Sequence, residues 1–201
     1  MIPKINFKYS WIYDEKMEQL YEAIKKERNL NHKYPDWKET LKYTKQIYKK
    51  WSAIANKVLI AIEKTSGLKW KEPKITCYVV GRTIAFSDPL TVGTVNDKNW
   101  FIDILTHELI HQIFVQNMDK KEKYWKYLEK KYPKYGLSTR IHITLLAIHK
   151  SIYLTLSNKS GLKRDIKRAD KVVKYSPQYK TAWDVVDKEG YKNLIKEFKK
   201  F

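Results

Sequence analysis

The stretch Phe101-Ile-Asp-Ile-Leu-Thr-His-Glu-Leu-Ile-His-Gln-Ile-Phe114 decides how this chain folds. Its apolar residues, with Trp100 ahead of them, fall on nearly every side of a 3.6-residue repeat instead of along one stripe, so little of the helix is left for solvent. A helix of that kind belongs at the centre of a domain. Asn96 or Asp97 can cap its start, because a short polar side chain accepts from the unpaired amides of the first turn. His107, Glu108 and His111 stand inside this apolar helix, and burying such groups without partners costs several kcal/mol.

The polar residues are spaced for a metal. His107 and His111 are one helical turn apart on the same face, and Glu108 lies beside the first. This is the HExxH pattern, in which two neutral imidazoles hold zinc and the glutamate acts as general base. A catalytic zinc takes three protein ligands and keeps a position open, so a further donor is needed. A third histidine six residues after the second, as in astacin- and matrixin-type sites, is excluded because that position is Asn117. Glu129 falls in a lysine-rich segment and reads as a solvated surface residue. The strongly apolar helix expected at 138–156 offers His142 and His149; His142 is the first choice and His149 the alternative. The histidine not used as ligand, and Arg140, are candidates for stabilising negative charge as it develops on a substrate.

Before the central helix the repeat changes. Pro73-Lys-Ile-Thr-Cys-Tyr-Val-Val-Gly81 is rich in β-branched and aromatic residues and reads as a buried strand, with shorter strands at 82–86 and 90–95 separated by Ser87-Asp88-Pro89. A small, partly antiparallel, three-stranded sheet over about 74–95 follows. Further upstream, Met17, Leu20, Tyr21 and Ile24 mark an amphipathic helix over 13–30. A long second helix begins at the N-cap Asp36 and runs through Trp37, Leu41, Tyr48, Trp51, Val58 and Ile62 to a stop at Thr65-Ser66-Gly67. Downstream, 119–132 reads as a charged surface helix, and 162–201 as a basic helical tail packed on the core. The fold class is therefore α+β, mainly helical, in one domain over 1–201: a helical scaffold at 1–67, a core at 68–157 and a helical extension at 158–201.

Composition narrows the partners. The chain has 201 residues, 43% of them hydrophobic, enough for one substantial core. No run approaches the roughly 20 apolar residues of a membrane span, and the first residues lack the apolar region of a signal peptide, so a soluble, cytoplasmic protein without a membrane partner is expected. The single cysteine, Cys77, lies in an apolar run and reads as a small buried residue. The 41 Lys+Arg against 22 Asp+Glu give a net charge of +19, yet only Arg28, Arg82, Arg140, Arg164 and Arg168 offer a planar fork. Nucleic acid stays an alternative partner on charge alone, since the lysines are spread along the chain and no recognition motif is present.

Over about 74–153 the chain resembles the zincin metallopeptidases, and within them the minigluzincins. The resemblance rests on Val80-Gly-Arg-Thr-Ile-Ala-Phe-Ser-Asp-Pro-Leu-Thr-Val-Gly93, on Phe101 to His111, and on Thr139-Arg-Ile-His-Ile-Thr-Leu-Leu-Ala-Ile-His149. It implies a reduced thermolysin-like domain, a short twisted sheet above an active-site helix with a second helix supplying the third ligand. It also implies zinc-dependent peptide hydrolysis, with His107 and His111 as ligands and Glu108 activating a metal-bound water. One departure stands out: gluzincins use a glutamate as third ligand, where the matching helix here has His142 and His149. The substrate, a peptide or protein, would lie along an edge strand, with Leu90-Thr91-Val92 as its backbone partner. Some members of the family are latent, blocked by their own terminal segment, which points to the tail after Leu162 as a regulator. The alternative, from a different class, is a non-catalytic, metal-stabilised binding protein.

Overall fold

The first helix is tied to the sheet by one buried carboxylate. In this computed structural model, which describes residues 1–29 and 31–201, strand β1 (Lys4–Lys8) leads into helix α1 (Trp11–Arg28), and Asp14 in the first turn of α1 is 5% exposed. Its Oδ1 accepts from the Tyr34 hydroxyl at 2.5 Å and from the Gly81 amide at 2.7 Å. A side chain at Gly81 would overlap the Tyr34 ring, so only glycine permits that approach. Residue 30, the expected end of the first helix, lies outside the described residues.

Helix α2 (Trp37–Ser52) starts where its sequence directs. Asp36 Oδ1 accepts from the Glu39 amide at 2.8 Å and Glu39 Oε2 accepts from the Asp36 amide at 3.0 Å, a reciprocal capping box. The long helix expected from Asp36 to residue 64 is, however, two helices. The Ser52 hydroxyl donates to the Tyr48 carbonyl at 2.8 Å and the Ile54 amide closes a tight turn on Trp51 O at 2.9 Å, which ends α2 before α3 (Ala55–Ser66) begins.

The sheet has four strands in the order β1-β2-β4-β3, with β2 at Lys74–Val80, β3 at Phe86–Ser87 and β4 at Leu90–Gly93. β1 and β4 run parallel to β2, and only β3 is antiparallel to its neighbour. The expected three-stranded sheet thus gains β1, and the strand expected at 82–86 shrinks to Phe86 and Ser87. The shrinkage has a local cause. The Gly81 amide is taken by Asp14, Arg82 Nε donates to Lys33 O at 2.9 Å, and Thr94 Oγ1 donates to Gly81 O, so this segment is committed to other partners.

Helices α4 (Lys98–Val115), α5 (Met118–Lys131), α6 (Leu137–Thr155), α7 (Lys159–Val172), α8 (Pro177–Glu189) and α9 (Tyr191–Lys200) follow, so the fold is α+β and mainly helical. Among the described residues, no helix is long and apolar enough to cross a membrane. The chain divides into two compact units that interleave along the sequence. One, Ile2–Asn56 with Glu72–Gln112, holds the sheet, α1 and α2. The other, Lys57–Lys71 and Ile113–Phe201 with Met1, is helical. In the helical unit α8 and α9 pack on α6, burying Trp183, Val186, Leu194 and Phe198. Phe198 is fully buried among the rings of Phe114, Tyr124 and Trp125. The C-terminal tail therefore builds core rather than lying over it.

Candidate metal centre

α4 carries the histidine pair as its sequence requires. Asp97 caps the helix, its Oδ1 accepting from the Asn99 amide at 2.8 Å. Phe101, Leu105, Leu109, Ile110 and Ile113 are completely buried. His107 and His111 are half-buried, with ring centroids 5.1 Å apart at an interplanar angle of 64°. Glu108 is 7% exposed and close enough to Cys77 to act on it: burial, with the Glu108 carboxylate adding to it, pushes the Cys77 thiol far above its ordinary value. Cys77 is the inert core residue its sequence context suggests.

On α6, His142 is 7% exposed and its Nδ1 lies 2.7 Å from the Ser138 carbonyl. A carbonyl can only accept, so Nδ1 carries the proton and Nε2 is left as the electron-pair donor, the arrangement that orients metal-binding imidazoles. Burial pushes the His142 pKa down, against smaller opposing effects of the Ser138 carbonyl and the Asp165 charge, and so favours the neutral form a metal needs. Its ring meets Tyr179 of α8 edge-on, with centroids 4.7 Å apart.

The potential ligand atoms of His107, His111 and His142 lie within 4.8 Å of one another, and His149 is not in the group. Three imidazole nitrogens at that mutual spacing suit zinc, whose Zn–N distances are about 2.0–2.1 Å. His149 is 1% exposed and does something else: its ring stacks on Tyr153 with centroids 4.1 Å apart, and its Nδ1 is 3.2 Å from Asp165 Oδ2. Arg140 is engaged by Glu129 Oε1 at 3.3 Å, and Glu129 is exposed, as its lysine-rich surroundings indicate.

One expectation is overturned. Leu90, Thr91 and Val92 do not form an edge, because β4 lies between β2 and β3: Thr91 pairs with Tyr78 on one side and Phe86 on the other, Leu90 pairs with Ser87, and Val92 pairs with Val79. All three are buried, and the Thr91 hydroxyl is already bonded to Tyr13 Oη at 2.9 Å and to Pro89 O at 2.8 Å. Their backbone is not available to a peptide. The sheet edge beside them is β3, where Ser87 O already accepts from Gln112 Nε2.

Sequence reading also passed over Asp165 and Tyr179. Asp165 had a visible signal: Gly161, Asp165 and Ala169 recur every four residues on α7, and Gly161 and Ala169 are buried, so a lone carboxylate occupies the inner face of a basic helix. Tyr179 had none, since only the packing of α8 against α6 brings it to His142. No protein-family model, curated protein or solved structure matches the chain.

Proposed function

We propose that this chain is a zinc-dependent metallopeptidase of the zincin type, in which His107, His111 and His142 hold the ion and Glu108 is the general base. The observation that carries the reading is the three-histidine group, with ligand atoms within 4.8 Å of one another, two of them on α4 beside the buried Glu108 and the third on α6. Zinc bound there supplies a Lewis acid that polarises a scissile carbonyl and lowers the pKa of water. Glu108 accepts the proton of the attacking water and returns it to the leaving amine, so hydrolysis needs no covalent intermediate. The Ser138 carbonyl fixes the His142 tautomer. Asp165 Oδ2, 3.2 Å from His149 Nδ1, orients the His149 ring, the candidate donor to negative charge developing on the substrate.

Glu108→Gln tests this reading. The variant is expected to bind zinc as the parent does and to lose peptide hydrolysis by about 10²–10⁴-fold, measured by turnover of a mixed peptide library. Zinc bound tightly by the parent protein without cleavage of any peptide would contradict an enzyme and favour a metal-stabilised binding protein.

A further inference from the structure

The sheet-bearing unit holds a second feature, remote in sequence from the HExxH helix. A cleft of about 770 Å³ opens between the start of α1 and the start of α2, a size within the range of small-ligand sites. Its walls include Tyr9, Trp11 and Trp37, and it is rimmed by Glu15, Glu18 and Asp36, with Asp14 at its base. Lys33 is the one cation among the lining residues. On a chain of net charge +19 this is a local reversal of sign.

The helix ends account for part of this chemistry, since carboxylates in a first turn or at an N-cap complement the helix dipole. They do not account for two indoles at the same opening, Trp11 at 65% and Trp37 at 55% exposure. Exposed tryptophan beside carboxylates is the surface that attracts organic cations, by cation–π contact with the ring face and by charge. Lys38 Nζ, on the next residue, stands 5.5 Å from the Trp37 centroid, so a bound cation takes the place of that side chain on the ring face. The field in the cleft is also felt by Tyr9, whose phenol is pushed up to about 12 by burial first and then by Asp14, Asp36 and Glu18. Asp14 is committed to Tyr34 and Gly81 and Asp36 caps α2, so both contribute field, while Glu15 and Glu18 remain at the rim.

We infer that this cleft binds an organic cation, an alkylammonium group held against Trp11 and Trp37 within the field of Glu15, Glu18 and Asp36. The inference does not depend on the zinc reading. The alkylammonium can come from a small amine or from a lysine side chain of a polypeptide. The test is ¹⁹F NMR of the full chain labelled with 5-fluorotryptophan, with the Trp11 and Trp37 signals assigned through Trp11→Phe and Trp37→Phe. Tetramethylammonium and an acetylated, amidated lysine tripeptide are expected to shift both signals saturably, and the neutral isostere 3,3-dimethyl-1-butanol is not. Tighter binding of the tripeptide identifies a polypeptide source, and tighter binding of tetramethylammonium a small amine. Glu18→Gln, at an exposed position that leaves the fold intact, is expected to weaken binding about tenfold. Absence of a saturable shift for both cations, or an equal response to the neutral isostere, would overturn the proposal.

Discussion

Asp14 shows how one residue sets the start of the fold. Its Oδ1 collects the Tyr34 hydroxyl and the Gly81 amide in a buried place, and an acceptor removed there leaves the Gly81 amide unsatisfied and the Tyr34 hydroxyl with only the Asp14 carbonyl at 3.2 Å. Asp14→Ala is expected to lower the unfolding free energy by about 2–4 kcal/mol in urea denaturation; a change below about 0.5 kcal/mol would contradict the assigned role. The phenols give the pH dependence. Tyr9 and Tyr43 are both raised from 10.0 to about 12, chiefly by burial, with Asp14 adding at Tyr9 and Asp97 adding at Tyr43 against the Val95 amide. The folded state keeps these protons where the unfolded chain has lost them. Their contribution to stability is therefore complete below pH 10 and lost as pH rises from 10 to 12. Tyr43→Phe is expected to flatten that decline, read as unfolding free energy against pH, and an unchanged slope would contradict the assignment.

At the scale of elements, the C-terminal helices invite the sharpest test. Family resemblance points to the tail after Leu162 as a regulatory segment, while its packing makes it part of the core of the helical unit, with Trp183, Val186, Leu194 and Phe198 buried. Phe198→Ala is expected to cost about 3–5 kcal/mol, measured by thermal unfolding. A variant that melts like the parent and gains peptidase activity would instead mark α9 as a displaceable lid. Elements whose signals are local were legible in the sequence. The capping box at Asp36 and Glu39, the β-branched run of β2 and the all-round apolar pattern of α4 each carry their own cause. β1 was not legible, because Lys4–Lys8 is a strand only through its parallel pairing with Lys74 to Tyr78, far away in sequence. The interior position of β4 was hidden for the same reason: strand order is a property of pairing, and alternation along 90–95 reads alike at an edge or a centre. The break between α2 and α3 is a single tight turn, the Ile54 amide on Trp51 O, too small a signal for a hydrophobic repeat that continues through it. In the site, the spacing of His107 and His111 was legible because i and i+4 share a helix face, while the grouping of His142 with them depends on tertiary packing that spacing along α6 does not encode.

At the scale of the whole molecule, charge and site make separate statements. The charge of +19 comes chiefly from lysines spread along the whole chain, and the aromatic cleft at Trp11 and Trp37 is a local acidic exception to it. The three histidines offer imidazole nitrogens, donors that would hold a cation by coordination rather than by bulk charge. The central claim, that His107, His111 and His142 form one zinc site, is tested most directly by zinc content. The measurement is metal analysis of the full chain after equilibration with zinc and exhaustive dialysis, for the parent protein and for His142→Ala, with circular dichroism confirming that the variant is folded. The account predicts about one zinc per chain in the parent and none retained by folded His142→Ala. A parent protein that holds no zinc, or a His142→Ala variant that keeps it with unchanged affinity, would contradict the account.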